Sequence, residues 1–313
     1  MASILCLGAG AVGGYYAGRL VEAGSADVTF LVRERRRRQL AEHGLEVESP
    51  CGDFRVPVKA MLAEELTGSF DFVLMTCKAY DLDTAITSIR PAVGQRTTIV
   101  PLLNGFPHLD RLNAELGADR VLGGFASIAV TMQPDGRIKH LNDWQYITFG
   151  EQDGKMTDRV RLLEAALRAS RIGEAAIGVP DIQQKMWEKL VLLATLASVT
   201  TLMRASIGEI ARAPGGIATM QLVFEHNAEI AARSGHPMPE AYLAQYRALF
   251  SDSSLPMTAS MLRDIEGKGQ IEADHIVGYM LERARATGVD DTLHALSYLH
   301  LKAYEQRRAA GRL

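Results

Sequence analysis

The sequence predicts two domains of different class: a doubly wound α/β domain built on a parallel sheet, residues 1–179, and an all-helical domain, residues 180–313. Three observations predict it. A short apolar run, Ile4 to Leu7, opens directly into Gly-x-Gly-x-x-Gly at Gly8, Gly10 and Gly13. The first half of the chain alternates strand-like and helix-like segments. Beyond Gly178-Val-Pro180 almost everything has helical period. A length of 313 residues suits two domains, each with a substantial core.

The first element is a strand, a tight turn and a helix whose apolar stripe includes Tyr16, Leu20 and Val21. Gly8 lets the chain turn sharply. Gly10 removes a side chain where a pyrophosphate must approach the backbone, and Gly13 lets the helix pack close to the strand. The helix start, Ala11, Val12 and Gly13, offers free N–H groups and a positive dipole end to phosphates. Glycines also mark ordinary turns; here the strand–helix setting selects a Rossmann-type dinucleotide site.

The second strand runs from Asp27 to Arg33. An NAD site usually places an acid about 20 residues beyond the glycines, on the ribose 2′-hydroxyl. Arg33 stands there instead, and a guanidinium fits a 2′-phosphate bidentately, so the cofactor expected is NADP(H). Glu34 competes with this reading, because it is placed to reach a hydroxyl. Arg35 to Arg38 read as the solvated start of a helix, with one of them available to assist Arg33.

Asp71 to Cys77 reads as a buried parallel strand ending at Lys78, and Thr97 to Leu103 as another ending at Asn104-Gly105. Val121-Leu122 and Ala126 to Met132 read as later strands. After the turn Pro134-Asp-Gly136, Arg137 to Leu141 and Tyr146 to Phe149 read as strands near the sheet edge. Ligands of an open parallel sheet bind outside the carboxyl ends of its strands, so Gly8–Gly13, Arg33, Lys78 and Asn104 are expected on one rim. Taken singly, Lys78 reads as a solvated lysine and Asn104-Gly105 as a turn; their shared placement favours a functional reading.

Helical period covers 181–203, 215–234, 239–250, about 270–287 and 290–309. In the first of these, Leu190 to Ala197 is apolar on every side and calls for burial. Lys189 stands at the lip of that run. Partial desolvation there would lower its pKa and make it a proton donor near neutrality. A lysine whose stem packs on the helix while its head reaches water has the same signature.

Composition narrows the classes. Charged residues make up 23% and the net charge is −3, which gives no electrostatic case for nucleic acid. Cys6, Cys51 and Cys77 are isolated, without metal-ligand spacing, and suit a reducing cytoplasm. No signal peptide is apparent, and the apolar run 190–197 is too short to span a bilayer, so neither metal nor membrane is expected. The helical half carries enough apolar surface to form a homodimer.

Taken together, Gly8-Ala-Gly-Ala-Val-Gly13, Thr76-Cys-Lys78-Ala-Tyr, Leu103-Asn104-Gly105, Trp187-Glu-Lys189-Leu, and Ser260-Met-Leu-Arg-Asp-Ile with Glu272 beyond it resemble the ketopantoate reductase (2-dehydropantoate 2-reductase) family over nearly the full length. The resemblance implies reduction of a 2-oxo acid to a 2-hydroxy acid with NADPH, 2-dehydropantoate to pantoate in the first instance. It implies Lys189 as general acid and Glu272 as its partner on the forming hydroxyl. It places Ser260 on the substrate carboxylate, and Asn104 and Lys78 beside nicotinamide and substrate. Ser260 has a second reading as the cap of a helix starting near Met261, and Glu272 as a surface residue.

The chain departs from the family where substrate is read. The family carries asparagines four and eight residues after the lysine, and here those positions are Leu193 and Ala197. A further family asparagine, in an Asn-Gly-Glu stretch, appears as Ile207-Gly208-Glu209. Losing such hydrogen bonds costs specificity for a small polar acid; Thr200 and Thr201 are candidates to replace them. Three rivals follow: a reductase of a bulkier, less polar 2-oxo compound, a low-turnover NADP-binding redox sensor, and a β-hydroxyacid dehydrogenase.

Overall fold

The computed structural model describes all 313 residues, and the chain forms two compact units. The first comprises Met1–Leu103 and His108–Gln183; the second comprises Asn104–Pro107 and Gln184–Leu313. Asn104–Pro107, placed by sequence in the first domain, therefore belongs with the helices.

The first unit contains β1 (Ser3–Leu7), α1 (Ala11–Ala23), β2 (Asp27–Leu31), α2 (Glu34–His43), β3 (Leu45–Glu48), β4 (Phe54–Val56), β5 (Lys59–Met61), β6 (Phe72–Met75), α3 (Leu82–Ile89) and β7 (Thr98–Pro101). It continues through α4 (Pro107–Leu116), β8 (Leu122–Ser127), β9 (Val130–Met132), β10 (Ile138–His140), β11 (Tyr146–Glu151), α5 (Asp158–Arg168) and β12 (Ala176–Gly178). Five parallel strands form the central sheet in the order β5-β2-β1-β6-β7. β6 is Phe-Val-Leu-Met and buried along its whole length, as a parallel strand covered on both faces must be. A bridge between Ile99 and Val121 leads from β7 towards a sheet ordered β12-β11-β8. Four short strands, β4-β3-β10-β9, form a separate sheet that packs on α1.

Two expectations change, and three short strands are added. The strand expected over Thr97–Leu103 is the shorter β7. Val121-Leu122 and Ala126–Met132 are not two strands: β8 runs unbroken through Gly123-Gly124, and β9 is separate. A Cβ on Gly124 would lie 2.9 Å from the Pro101 carbonyl oxygen, so the glycine that reads as a break is what lets the strands approach. The strands β3, β4 and β5 are three or four residues long, and β3 and β5 pair with strands distant in sequence, so periodicity does not reveal them.

The second unit is built from α6 (Ile182–Met203), which starts just before it, α7 (Ile207–Arg212), α8 (Gly216–Arg233), α9 (Glu240–Leu249), α10 (Ser260–Glu266), α11 (Tyr279–Thr287) and α12 (Thr292–Ala309). α6 is longer than its apolar run: at 22 residues it has the length and hydropathy to cross a membrane, yet 67% of that window is buried within the fold. α7 is held by a capping box, in which Ser206 Oγ accepts from the Glu209 N–H and Glu209 accepts from the Ser206 N–H. A π-helical turn, Asp274–Gly278, precedes α11 where the sequence suggests one continuous helix.

Candidate functional site

In the α/β unit, the glycine-rich loop leaves β1 at Gly8, whose φ of +89° is open to glycine and strained for other residues. Gly10 stands at the N-cap of α1, and a Cβ on either Gly8 or Gly10 would meet nothing within 4 Å. The backbone here faces open space, and the first turn of α1 has no acidic residue to repel an anion. Gly13 is crowded: a Cβ would collide with the Gly8 carbonyl and the Thr76 hydroxyl. Ala11 and Val12 complete a helix start that fits a pyrophosphate.

The neighbouring strands supply charge. Arg33 is the N-cap residue of α2, with its side chain 84% exposed and 3.8 Å from Asp81. Glu34 is engaged along its own helix, 2.8 Å from Arg37 and 2.7 Å from Arg38; the Arg38 bond, foremost, holds its carboxyl below the usual range. Arg36 points back, donating to the Ala9 carbonyl at 2.9 Å and the Gly136 carbonyl at 2.8 Å, and so braces the loop. Lys78, half-buried, follows β6. The glycine loop, Arg33 and Lys78 thus follow the carboxyl ends of β1, β2 and β6, which are adjacent in the sheet.

In the helical unit the polar centre is Lys189. Its Nζ donates to Asn104 Oδ1 at 2.9 Å. Burial pulls the ammonium down to about 7, and the charge of Glu272 opposes that fall. Glu272 itself is 8% exposed. Asn104 is held by its neighbours: Gly105 has φ +83°, and a Cβ there would collide with the His275 carbonyl of the π turn. Phe106 packs against Trp187 at 5.1 Å and stacks on Tyr279 at 5.9 Å. Residues far apart in sequence thus act on one amine: Asn104 accepts its hydrogen bond, and the charge of Glu272 raises its pKa. The snorkelling geometry considered for Lys189 is not what forms.

Ser260 is the exposed first residue of α10, and Ala259 occupies the N-cap without a side-chain cap, so the capping reading of Ser260 fails. Leu193 is partly buried and Ala197 buried. Thr200 and Thr201 do not replace the missing amides. Both are fully buried, donating to the Leu196 and Ala197 carbonyls at 2.7 Å, and Thr200 Oγ also accepts from the Ala259 N–H at 3.2 Å. Sequence reasoning missed the bracing role of Arg36, hidden in a run of four arginines, and the packing of Gly105, which reads as a turn.

Two family models match. Ketopantoate reductase PanE/ApbA covers residues 4–154, and Ketopantoate reductase PanE/ApbA C terminal covers 181–305. The chain belongs to the ketopantoate reductase family. Among relatives of this family, an uncharacterized oxidoreductase YkpB of Bacillus subtilis is 34% identical over 97% of this chain and 99% of its own. A 2-dehydropantoate 2-reductase of Mesorhizobium japonicum is 27% identical over 90% of this chain and 91% of its own. The solved 2-dehydropantoate 2-reductase of Geobacter metallireducens superposes with a TM-score of 0.86 at 26% identity, covering 96% of this chain and 99% of that one. The protein is an oxidoreductase of a family whose members bind NAD(P)H.

Proposed function

We propose that the chain reduces a 2-oxo acid to the 2-hydroxy acid with NADPH, with 2-dehydropantoate as the first substrate to test and Lys189 as the proton donor. The observation that carries this reading is Lys189, half-buried, hydrogen-bonded to Asn104 and drawn down to about 7 by desolvation against the opposing charge of Glu272. The bound reduced nicotinamide supplies the hydride. As negative charge builds on the ketone oxygen, the Lys189 ammonium stabilises it and delivers a proton from Nζ. Asn104 fixes the direction of Nζ, and Glu272 keeps a share of the amine protonated at neutral pH. Ser260, exposed on α10, is the candidate for the substrate carboxylate, and Lys78 a candidate beside the nicotinamide.

NADPH rather than NADH is supported by the exposure of the Arg33 guanidinium, whose ion pair with Asp81 is a long 3.8 Å, and by the engagement of the neighbouring Glu34 carboxylate by Arg37 and Arg38. Gly8, Gly10, Ala11, Val12 and Gly13 hold the pyrophosphate in this reading.

A second reading differs in substrate alone. Leu193 and Ala197 leave the lysine's helix face apolar, which favours a 2-oxo acid with a larger apolar tail. The test is loss of NADPH absorbance over a panel of 2-oxo acids, with and without Lys189→Ala. The variant should lose about a hundredfold or more in kcat, the range of a general acid, with NADPH binding unchanged. Undiminished turnover in the variant would remove Lys189 from the chemistry.

A further inference from the structure

Glu272 sits in a segment without regular structure, between the end of α10 and the π turn, yet it must hold its carboxylate near Lys189. That segment is fastened on both sides by one helix. After Glu272, Asp274 accepts from the Tyr298 hydroxyl at 2.6 Å and from Lys302 Nζ at 3.1 and 3.3 Å. Gly278 closes the turn against the Tyr298 ring, where a Cβ would lie 2.9 Å from Cε2. Before Glu272, the Tyr304 hydroxyl donates to the Gly269 carbonyl at 2.7 Å and Arg308 Nε to the Lys268 carbonyl at 3.1 Å. Lys268 has φ +57°, an uncommon conformation for a lysine, so its local backbone needs an external hold.

All four donors, Tyr298, Lys302, Tyr304 and Arg308, lie on α12. Their five bonds bracket Glu272 within the stretch 268–274. The π turn also carries the His275 carbonyl that packs on Gly105, beside the asparagine that binds Lys189. π turns interrupt α-helices at functional sites more often than elsewhere, and this one stands two residues from Glu272.

We propose that α12 is the positioning element of the site: Tyr298 and Lys302 on one side, and Tyr304 and Arg308 on the other, hold the Glu272 segment so that its carboxylate faces Lys189. None of the four touches the reacting atoms; they act through Glu272. The proposal rests on the reading that Glu272 and Lys189 work as a pair, and deepens it. Facing the amine are Glu272 from this segment and Asn104 from the 104–107 stretch, with His275 of the π turn close enough to Glu272 to feel its charge.

The test measures the coupling between the two groups without relying on turnover. The full chain is labelled with ¹³Cε-lysine, the Lys189 signal is assigned by its loss in Lys189→Met, and its titration is followed by NMR. In the otherwise unchanged chain, Glu272→Gln should lower the Lys189 midpoint by about half a pH unit or more, a roughly threefold change in the protonation equilibrium. In Tyr298→Phe/Tyr304→Phe, the same substitution should shift it by less than half as much. Lys302→Met should weaken the coupling in the same way, and Lys302→Arg should restore it. If the double tyrosine variant does not fold, the Lys302 pair carries the test alone. An equal shift in all backgrounds would overturn the positioning role. No shift in the unchanged chain would overturn the Glu272–Lys189 pairing itself.

Discussion

In the proposed function, the glycine-rich loop and the Lys189 centre hold charge at chosen points by opposite means. The loop uses backbone N–H groups and a helix end. Its parts lie within a dozen residues, and its geometry depends on side chains that are absent and on one outside brace, Arg36 on the Ala9 carbonyl. The lysine centre uses side chains from positions 104, 189 and 272, and its geometry depends on packing by Phe106, Trp187 and a π turn. A site made from local backbone tolerates change in the surrounding sequence as long as its glycines and its brace remain. A site assembled over long range is sensitive to every element that holds it.

The sharpest way to separate the two is a pair of equivalent substitutions. Gly13→Ala puts a Cβ against the Gly8 carbonyl and the Thr76 hydroxyl, and Gly105→Ala puts one against the His275 carbonyl. Each should cost about 1–3 kcal/mol of overpacking where it acts, and Gly105→Ala about 1–2 kcal/mol more for its left-handed backbone. Fluorescence titration should show NADPH affinity falling about tenfold or more in Gly13→Ala, with the Lys189 titration unchanged. Gly105→Ala should do the reverse. If both variants lose both properties, the two regions are not independent.

A smaller effect is expected at Arg33. Its guanidinium is exposed, so Arg33→Ala should weaken NADPH by about 1–3 kcal/mol and leave NADH unaffected, as measured by fluorescence of the two reduced cofactors. Equal losses for both would place Arg33 away from the 2′-phosphate. The smallest effect concerns substrate choice. Leu193→Asn with Ala197→Asn should shift kcat/KM towards 2-dehydropantoate and away from acids with larger apolar tails. Each methylene placed against Leu193 is worth about 0.8 kcal/mol, which sets the scale of the shift at severalfold. An unmodified protein that prefers 2-dehydropantoate to every larger acid would remove the case for an apolar pocket.

The same contrast explains what the sequence discloses. The two-domain plan, the central parallel strands and the glycine loop are legible because their signals are local: an apolar run, three glycines, a period. Asp27 to Leu31 and Phe72 to Met75 are unambiguous as strands for that reason. In the small sheet β4-β3-β10-β9, β10 is legible as a strand but β3 and β4 are not: each is three or four residues long, and β3 leans on a partner some ninety residues away, as Val47 does on Ile138. At the site, Lys189 reads as a lysine of either kind until Asn104 and Glu272 are placed beside it. Motif resemblance brought those three together; spacing did not. Arg36 was hidden by its neighbours, since nothing in Arg-Arg-Arg-Arg tells which member turns inward. Thr200 and Thr201 look like available hydroxyls in sequence, and only the fold reveals that both are spent on their own helix.

Whether Lys189, its ammonium drawn down by desolvation, is the proton donor is tested most directly by the pH dependence of kcat on the best 2-oxo acid. A group that must be protonated to act is competent below its pKa and fails above it. With the ammonium drawn down to about 7, kcat should be level on the acid side and fall about tenfold per pH unit above that point. Removing the Glu272 charge, which raises the lysine, should move the fall to lower pH in Glu272→Gln. A kcat that stays level or rises between about pH 7 and 9 would contradict the assignment of Lys189 as the proton donor.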